Sequence, residues 1–400
     1  MRLQRGLIFA LGASVVAGAC ASAGTTAGAS AAPGGAVAGA FPTVTCPAGV
    51  SVTPSAAAQT AAKSLLLNRT QDAVTGAQAA VTAEEANPQH QYLLGRAQAA
   101  AGNVEGAVAA WNRAVQLCPA FSSEIAADRD RLWATAFQAG MDAYQKNDTA
   151  AAVAAWQRAN MVSSARPDAT FNLGVVYWQR GDIPRATQAY RQTLEILGKL
   201  PADTSAAEMA QRAEMRQNAY SGLLGAGARS FQSEQYDTAA SIFRYITTAD
   251  PNNRDAWYNY ALAMYKMQRW TDLIPVAQRV ATIDPLNQNA QIILFNAFKE
   301  SKQNEQALKV LTNVDALPVY VDEVRIETPE SGPGRLTGKV TGNKAAAGAP
   351  VNLTFTFWGP SGNVGTQSVT VNAPAKGASA NFQVPLPQGA TVSSFSYTYR

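Results

Sequence analysis

Apolar residues recur with helical spacing through the middle of the chain, and this pattern changes to alternation after Pro318. Spacings of three and four residues predict amphipathic helices, whereas alternation predicts strands that bury one face. The alternating runs are separated by loops rich in Gly, Pro, Asn and Ser, which indicates an antiparallel β-sandwich. These runs are 319–327, 335–342, 351–358, 366–371, 378–386 and 393–399.

Small residues in the helical part recur at intervals of 34 residues, which indicates a repeated helical hairpin. Glycines precede these positions by twelve residues, and large residues follow them by four. The small residues let two helices approach closely, and the large residue fills the space between hairpins. The small positions are Ala73, Ala107, Ala152, Ala186, Ala239, Leu273 and Ala307; the glycines are Gly95, Gly140, Gly174 and Gly227; the large residues are Trp111, Trp156, Tyr190, Phe243 and Leu311.

Two gaps interrupt this period. The gaps that follow Ala107 and Ala186 exceed it by 11 and 19 residues, which places insertions around 120–131 and 200–218. Each insertion could either extend a helix or form a loop that binds a partner, and the sequence leaves both alternatives open.

Segments 92–119, 171–196 and 256–285 carry the fullest form of the pattern, and they resemble tetratricopeptide repeats. The resemblance covers about residues 55–316, or six to seven hairpins. It is weakest in the first and last units, as expected of capping repeats. It implies an α-helical solenoid that binds other proteins and has no catalytic activity.

In the tetratricopeptide family, the first helix of each hairpin lines a concave groove. Carried onto this sequence, the family's groove positions predict an aromatic stripe that binds an extended or helical peptide segment of a protein partner. The alternative is that several of these aromatic side chains are core residues of the helix packing. The predicted groove residues are Tyr92, Arg96, Phe137, Met141, Tyr144, Phe171, Trp178, Phe231, Tyr258, Tyr265 and Lys266.

The stretch from Gly338 to Leu386 resembles the immunoglobulin-like domains of the FxLYD type found in bacterial envelope proteins. The expected fold class is therefore a tetratricopeptide solenoid over 55–316 followed by a small all-β immunoglobulin-like sandwich over 319–400. An alternative function is cell-wall or glycan binding by this sandwich, with the solenoid as a spacer. In that case Trp358, Tyr397 and Tyr399 would stack on the sugar.

Residues 1–20 have the positive start, apolar stretch and small-residue end of a secretory signal peptide. The end of this segment resembles a bacterial lipobox, which implies lipidation of Cys20; cleavage by ordinary signal peptidase is the alternative. Residues 21–54 begin with a stretch rich in Ala and Gly that suits a flexible tether. We therefore expect an exported protein, either periplasmic or anchored to the outer membrane by lipid.

Two further cysteines, Cys46 and Cys118, follow the predicted signal peptide. Because an exported location permits disulfides, we expect these two residues to be bonded. Two unpaired thiols are the alternative.

Composition argues against several classes of function. The charged fraction is 15% and the net charge is +4, which does not resemble the basic surface of a nucleic-acid-binding protein. His90 is the only histidine, and we expect it to face solvent. Most mechanisms of acid–base catalysis and most metal sites need histidines that this chain does not offer. We predict no enzyme activity, no cofactor, no metal, no nucleic acid and no small-molecule substrate.

Overall fold

The computed structural model describes residues 41–202, 204–329, 333–359 and 362–400. The predicted signal peptide, most of the predicted tether and Cys20 lie outside these residues. The described part of the chain falls into two compact units, 41–176 and 177–400.

The described residues form fourteen helices followed by six strands. The helices are α1 (Ala56–Leu66), α2 (Thr70–Ala83), α3 (Pro88–Ala100), α4 (Val104–Leu117), α5 (Phe121–Gln145), α6 (Thr149–Val162), α7 (Pro167–Gln179), α8 (Ile183–Lys199), α9 (Ala206–Gln232), α10 (Tyr236–Ala249), α11 (Arg254–Lys266), α12 (Trp270–Ile283), α13 (Gln288–Glu300) and α14 (Asn304–Ala316). The strands are β1 (Val319–Glu327), β2 (Arg335–Gly342), β3 (Pro350–Gly359), β4 (Gly362–Asn372), β5 (Ser379–Pro385) and β6 (Ser394–Tyr399).

The turn inside each helical hairpin repeats the same backbone geometry. One residue of each turn has a left-handed conformation, with φ between 56° and 78°. This conformation reverses the chain within a few residues and allows the next helix to begin at once. The seven residues are Asn68, Gly102, Asn147, Gly181, Glu234, Gln268 and Lys302.

A contact between a glycine and a large side chain holds the two helices of a hairpin together. At these positions the large residue therefore packs within a hairpin, and the expectation that it lies between hairpins is corrected. A Cβ atom built on Gly95 would lie 2.3 Å from the Trp111 indole, and one on Gly140 would lie 2.4 Å from the Trp156 indole. Both rings are fully or almost fully buried. The helices can therefore approach this closely only because the first helix has no side chain at the contact.

Both insertions are extra helical turns. Helices α5 and α9 contain 25 and 27 residues, whereas α3 and α11 contain 13 each. The extension of α5 buries Phe121 and Ile125 in a cluster with Tyr92 and Cys118. The added turns of α5 are therefore part of the packed solenoid. The insertion at 200–218 becomes helical only from Ala206, and none of its residues over 206–218 is buried.

The N-terminal described segment, 41–55, lies against the second hairpin. A disulfide joins Cys46 to Cys118, with 5.3 Å between their Cα atoms. The Gln89 side chain donates a hydrogen bond to the Pro42 carbonyl at 2.9 Å. His90 is fully buried, and its Nε2 accepts a hydrogen bond from the Ser55 amide at 3.1 Å. The expectation of a solvent-facing His90 is therefore wrong, because this segment covers the histidine.

The six strands form two three-stranded antiparallel sheets, with strand orders β1-β2-β5 and β4-β3-β6. One side of each sheet faces a shared core, as the alternating burial along β2 and β3 requires. Phe355 lies at its centre, with ring centroids of Phe382, Phe395 and Tyr397 between 5.1 and 6.0 Å away. The pattern of alternating residues therefore predicted the strands correctly.

A buried ion pair between two residues of the solenoid lies at its junction with the sandwich. Arg254, at the start of α11, donates from Nε to Asp284 at 3.1 Å, and both side chains are at most 5% exposed. The Arg254 guanidinium lies 4.8 Å from the Phe395 ring centroid, and its backbone N–H donates to Ser394 Oγ at 2.9 Å. Strand β6 is thereby held against the loop that precedes α11.

We predict that Gly140→Ala lowers the free energy of unfolding by about 1–3 kcal/mol, because the new methyl group overlaps the Trp156 ring. Gly198→Ala is the matched control, since nothing lies within 4 Å of its added Cβ. That substitution should instead stabilise the protein by up to about 1 kcal/mol through helix propensity. Urea unfolding measures both, and equal effects would contradict the packing argument.

We also predict that Arg254→Met lowers the free energy of unfolding by roughly 3–5 kcal/mol, because it leaves the Asp284 carboxylate buried without its cationic partner. Adding Asp284→Asn should recover part of this loss. Arg269→Met, which breaks an ion pair whose two side chains are more than half exposed, should change stability little. If Arg254→Met unfolds at the same urea concentration as Arg269→Met, the buried pair does not hold the junction.

Candidate functional site

Five of the predicted groove residues in unit 41–176 are partly exposed, and one is buried. Tyr92 is only 6% exposed, because Phe121 at the start of the α5 extension packs 5.6 Å from its ring. Burial also raises the pKa of the Tyr92 hydroxyl. Tyr92 therefore belongs to the core. The partly exposed residues are Arg96, Phe137, Met141, Tyr144 and Phe171.

The aromatic side chains of α5 are held in place by their neighbours. The Phe137 ring stacks on Trp133 with 4.8 Å between centroids, and the Arg166 guanidinium lies 4.4 Å from the Trp133 centroid. Tyr144 packs against Trp156 at 5.8 Å. These rings present apolar surface in fixed orientations, which suits a binding surface because little side-chain entropy is lost when a partner contacts it.

A small pocket of about 310 Å³ lies beside this surface, between the end of α1, helix α3 and the extension of α5. Its polar residues form an ion-pair cluster in which Asp128 contacts both Arg96, at 3.4 Å, and Arg131. Leu65 and Leu132 supply apolar walls. The sequence analysis missed these α5 residues, because the insertion has no counterpart in the other repeats.

In unit 177–400, Trp178, Phe231 and Tyr265 are partly exposed and Lys266 is exposed. Phe231 and Tyr265 are each packed edge-on against an aromatic ring of the next helix, with 5.1 Å between centroids. The Arg229 guanidinium lies 5.8 Å from the Trp178 centroid. The first helices α7, α9 and α11 therefore each carry one partly exposed aromatic side chain that is packed against a neighbouring side chain.

Tyr258 is the exception in this unit. Its side chain is 7% exposed, and burial raises its pKa to about 12. The charges of Arg254, Asp284 and Asp322 also shift the pKa of the Tyr258 hydroxyl, which therefore lies near the ion pair at the sandwich junction. Tyr258 is therefore a core residue and is not available to a partner.

A second and larger cavity, the junction cleft, lies within unit 177–400 and has a volume of about 870 Å³. One wall comes from α8, the extension of α9 and the end of α10, and the other comes from β1, β3 and the start of β6. Tyr220, Tyr245 and Trp358 contribute aromatic surface. Burial raises the pKa of the Asp250 carboxyl and raises that of Tyr220 to about 12.

The residues predicted to stack on a glycan are not arranged as one surface. Tyr397 is 2% exposed, and its hydroxyl accepts a hydrogen bond from the Leu286 amide at 3.3 Å. Trp358 is partly buried and donates from Nε1 to Ser396, whereas Tyr399 is 36% exposed. The interpretation of Tyr397 as a sugar-stacking residue is therefore wrong, because the ring completes the sandwich core.

Within the described ranges, no group of three His, Cys, Asp or Glu side chains is placed to hold a metal ion. The same residues include no helix with the length and apolar character needed to cross a membrane.

The tetratricopeptide repeat family matches residues 65–121, 137–201 and 226–287. Most of the N-terminal extensions of α5 and α9 lie in the unmatched stretches between these ranges, as expected of additions to a regular repeat. These three ranges are therefore similar to tetratricopeptide repeats. The predicted fold class, a helical solenoid followed by a small antiparallel β domain, is confirmed.

Solved structures resemble parts of the chain. MamA AMB-1 is 15% identical and aligns over 47% of this chain and 92% of its own, with a TM-score of 0.30. MamA from Desulfovibrio magneticus RS-1 is 16% identical over 47% of this chain and 93% of its own, with a TM-score of 0.27. The TPR2AB-domain:pHSP90 complex of yeast Sti1 is 16% identical over 65% and 88%, with a TM-score of 0.23. Curated protein sequences gave no match.

Proposed function

We propose that the chain is a non-enzymatic interaction scaffold of the bacterial cell envelope. It binds an extended or helical peptide segment of a protein partner through the concave groove formed by the first helices of its hairpins. Catalysis, a cofactor, nucleic acid and a small-molecule substrate have no part in this function.

The observation that carries the proposal is the recurrence of partly exposed aromatic side chains at one repeat position. Tyr144, Trp178, Phe231 and Tyr265 occupy this position on successive first helices of the chain. Aromatic residues that combine large contact area with a fixed orientation are the residue types that dominate binding energy in protein interfaces. The packing partners of these rings keep them oriented before a partner arrives.

The proposed location is outside the cytoplasm. The signal-like segment 1–20 supports export, and lipidation of Cys20 would tether the folded part through the Ala- and Gly-rich stretch that follows. The disulfide between Cys46 and Cys118 suits an oxidising compartment. The C-terminal sandwich, which we propose to be immunoglobulin-like, contacts the last hairpins through Arg254, which touches Ser394 and Phe395 of β6.

We predict that Trp178→Ala combined with Tyr265→Ala reduces partner recovery by at least about tenfold, because each truncation removes aromatic contact area from the groove. The measurement is a crosslinking pull-down of the full chain from intact cells, with quantification of each recovered protein.

The matched control is Leu308→Ala combined with Leu311→Ala. It also truncates two exposed large apolar residues, 63% and 43% exposed, but these lie on a second helix of a hairpin. Partner recovery should be unchanged in this control. If the Trp178 and Tyr265 variant stays folded and recovers its partners at the level of the unmodified chain, the aromatic side chains are structural and the proposal fails.

A further inference from the structure

Strand β1 is an edge strand whose outer side faces the solenoid and the junction cleft. It pairs with β2 on one side, and no strand of the described residues pairs with its other side. The Val321 N–H points away from β2 and donates to the Leu286 carbonyl at 2.9 Å. The first part of the edge is thus bonded to the loop between α12 and α13.

The second part of the edge is different. A bulge shifts the register between Asp322 and Arg325, after which Arg325 pairs with Thr337. On β2, the Gly342 N–H bonds to Ala378 on the β5 side, so alternate residues such as Thr337 face β1. The backbone groups of Arg325 therefore face β2, and those of Ile326 face outward.

Thr328 is the first residue after β1, and the same alternation continued by one residue predicts that its backbone faces outward. Among the residues that the structure describes, neither the Ile326 N–H nor the Thr328 N–H has a hydrogen-bond acceptor. Unpaired backbone groups on an edge strand are a ready template for another extended chain. Ile326 and Thr328 both line the junction cleft.

The cleft has room and suitable chemistry beside this edge. Its volume of about 870 Å³ lies in the range of sites that enclose a ligand. Opposite the strand, α9 contributes Arg216 and Tyr220, and amide side chains come from Gln217 and Asn218. These groups supply apolar surface and hydrogen-bonding partners for side chains that project from an added strand.

The charges of the cleft are balanced. Three arginines and three carboxylates line it, so no strong field of either sign attracts a polyanion or a polycation. This balance favours an uncharged ligand. The free strand edge favours polypeptide over glycan, because only an extended backbone matches its alternating donors and acceptors. The ionisable residues are Arg216, Arg254, Arg325, Glu195, Asp250 and Asp255.

We propose that the junction cleft is a second protein-binding site, in which an uncharged extended segment of a partner adds to β1 as a strand along Ile326 and Thr328. This site uses the free edge of β1, although α9, one of the first helices, also forms part of its wall. The α9 extension and the sandwich lie on opposite sides of this site. The proposal therefore gives a binding role to both of these parts, which lie outside the regular repeats.

The test uses the full chain and short peptides selected from a random display library, with counter-selection against the Ile326→Pro variant. Proline removes the outward N–H and its ring blocks an added strand, but it leaves the ladder to β2 intact. Surviving peptides are then synthesised, and their Kd is measured by fluorescence anisotropy. We expect Thr328→Pro to weaken binding by about tenfold or more, since a backbone hydrogen bond is lost and the strand is obstructed.

Gln383→Pro is the matched control. Gln383 is exposed and faces outward on β5, the opposite edge of the same sheet, so its substitution should leave the Kd unchanged. Bound peptide should also slow amide hydrogen exchange at Ile326 and Thr328. Thermal unfolding establishes that each variant is folded.

The inference is overturned if no peptide survives counter-selection, or if Thr328→Pro and Gln383→Pro have the same effect. It is also overturned if a neutral oligosaccharide slows exchange at the Ile326 amide and selected peptides do not.

Discussion

The close contact between a glycine on one helix and an aromatic ring on the next is the constraint on which the rest of this structure depends. At Gly140 and Trp156, as at Gly95 and Trp111, the ring occupies the space where a side chain would otherwise lie. This contact fixes the distance between the helices of a hairpin, and the glycine and the ring occupy the same positions of the 34-residue repeat in each case. The positions that present side chains to a partner follow from that period, because each first helix is held in the same orientation to its own second helix.

Local patterns were sufficient to predict the hairpins and the strands. The 34-residue spacing of small residues identified the repeats, and alternation predicted β1 with the bounds that the structure has, Val319–Glu327. Burial of individual site residues could not be predicted, because it depends on partners outside the repeat. Tyr92 is covered by Phe121 from an insertion, and His90 bonds to the backbone of Ser55, which lies 35 residues earlier.

The junction with the sandwich was equally hidden from sequence analysis. Asp250 and Asp284 occupy the same position in successive repeats and are both followed by proline, yet only Asp284 pairs with Arg254. The choice is made by β6, whose Ser394 and Phe395 contact the arginine. The same repeat position therefore forms the buried ion pair at Asp284 but not at Asp250, and only tertiary packing distinguishes the two residues. The same packing orients β1 so that its free edge lies in a cleft.

The central claim is that the first helices of the solenoid form the surface that binds a protein partner. Its most direct test is a photo-crosslinking amino acid, benzoylphenylalanine, placed in the full chain at Phe231 and, separately, at Leu308, which is exposed on a second helix. Illumination of intact cells should yield a discrete crosslinked partner from position 231 and none from position 308. Equal crosslinking at the two positions, or crosslinking from position 308 alone, would contradict the account.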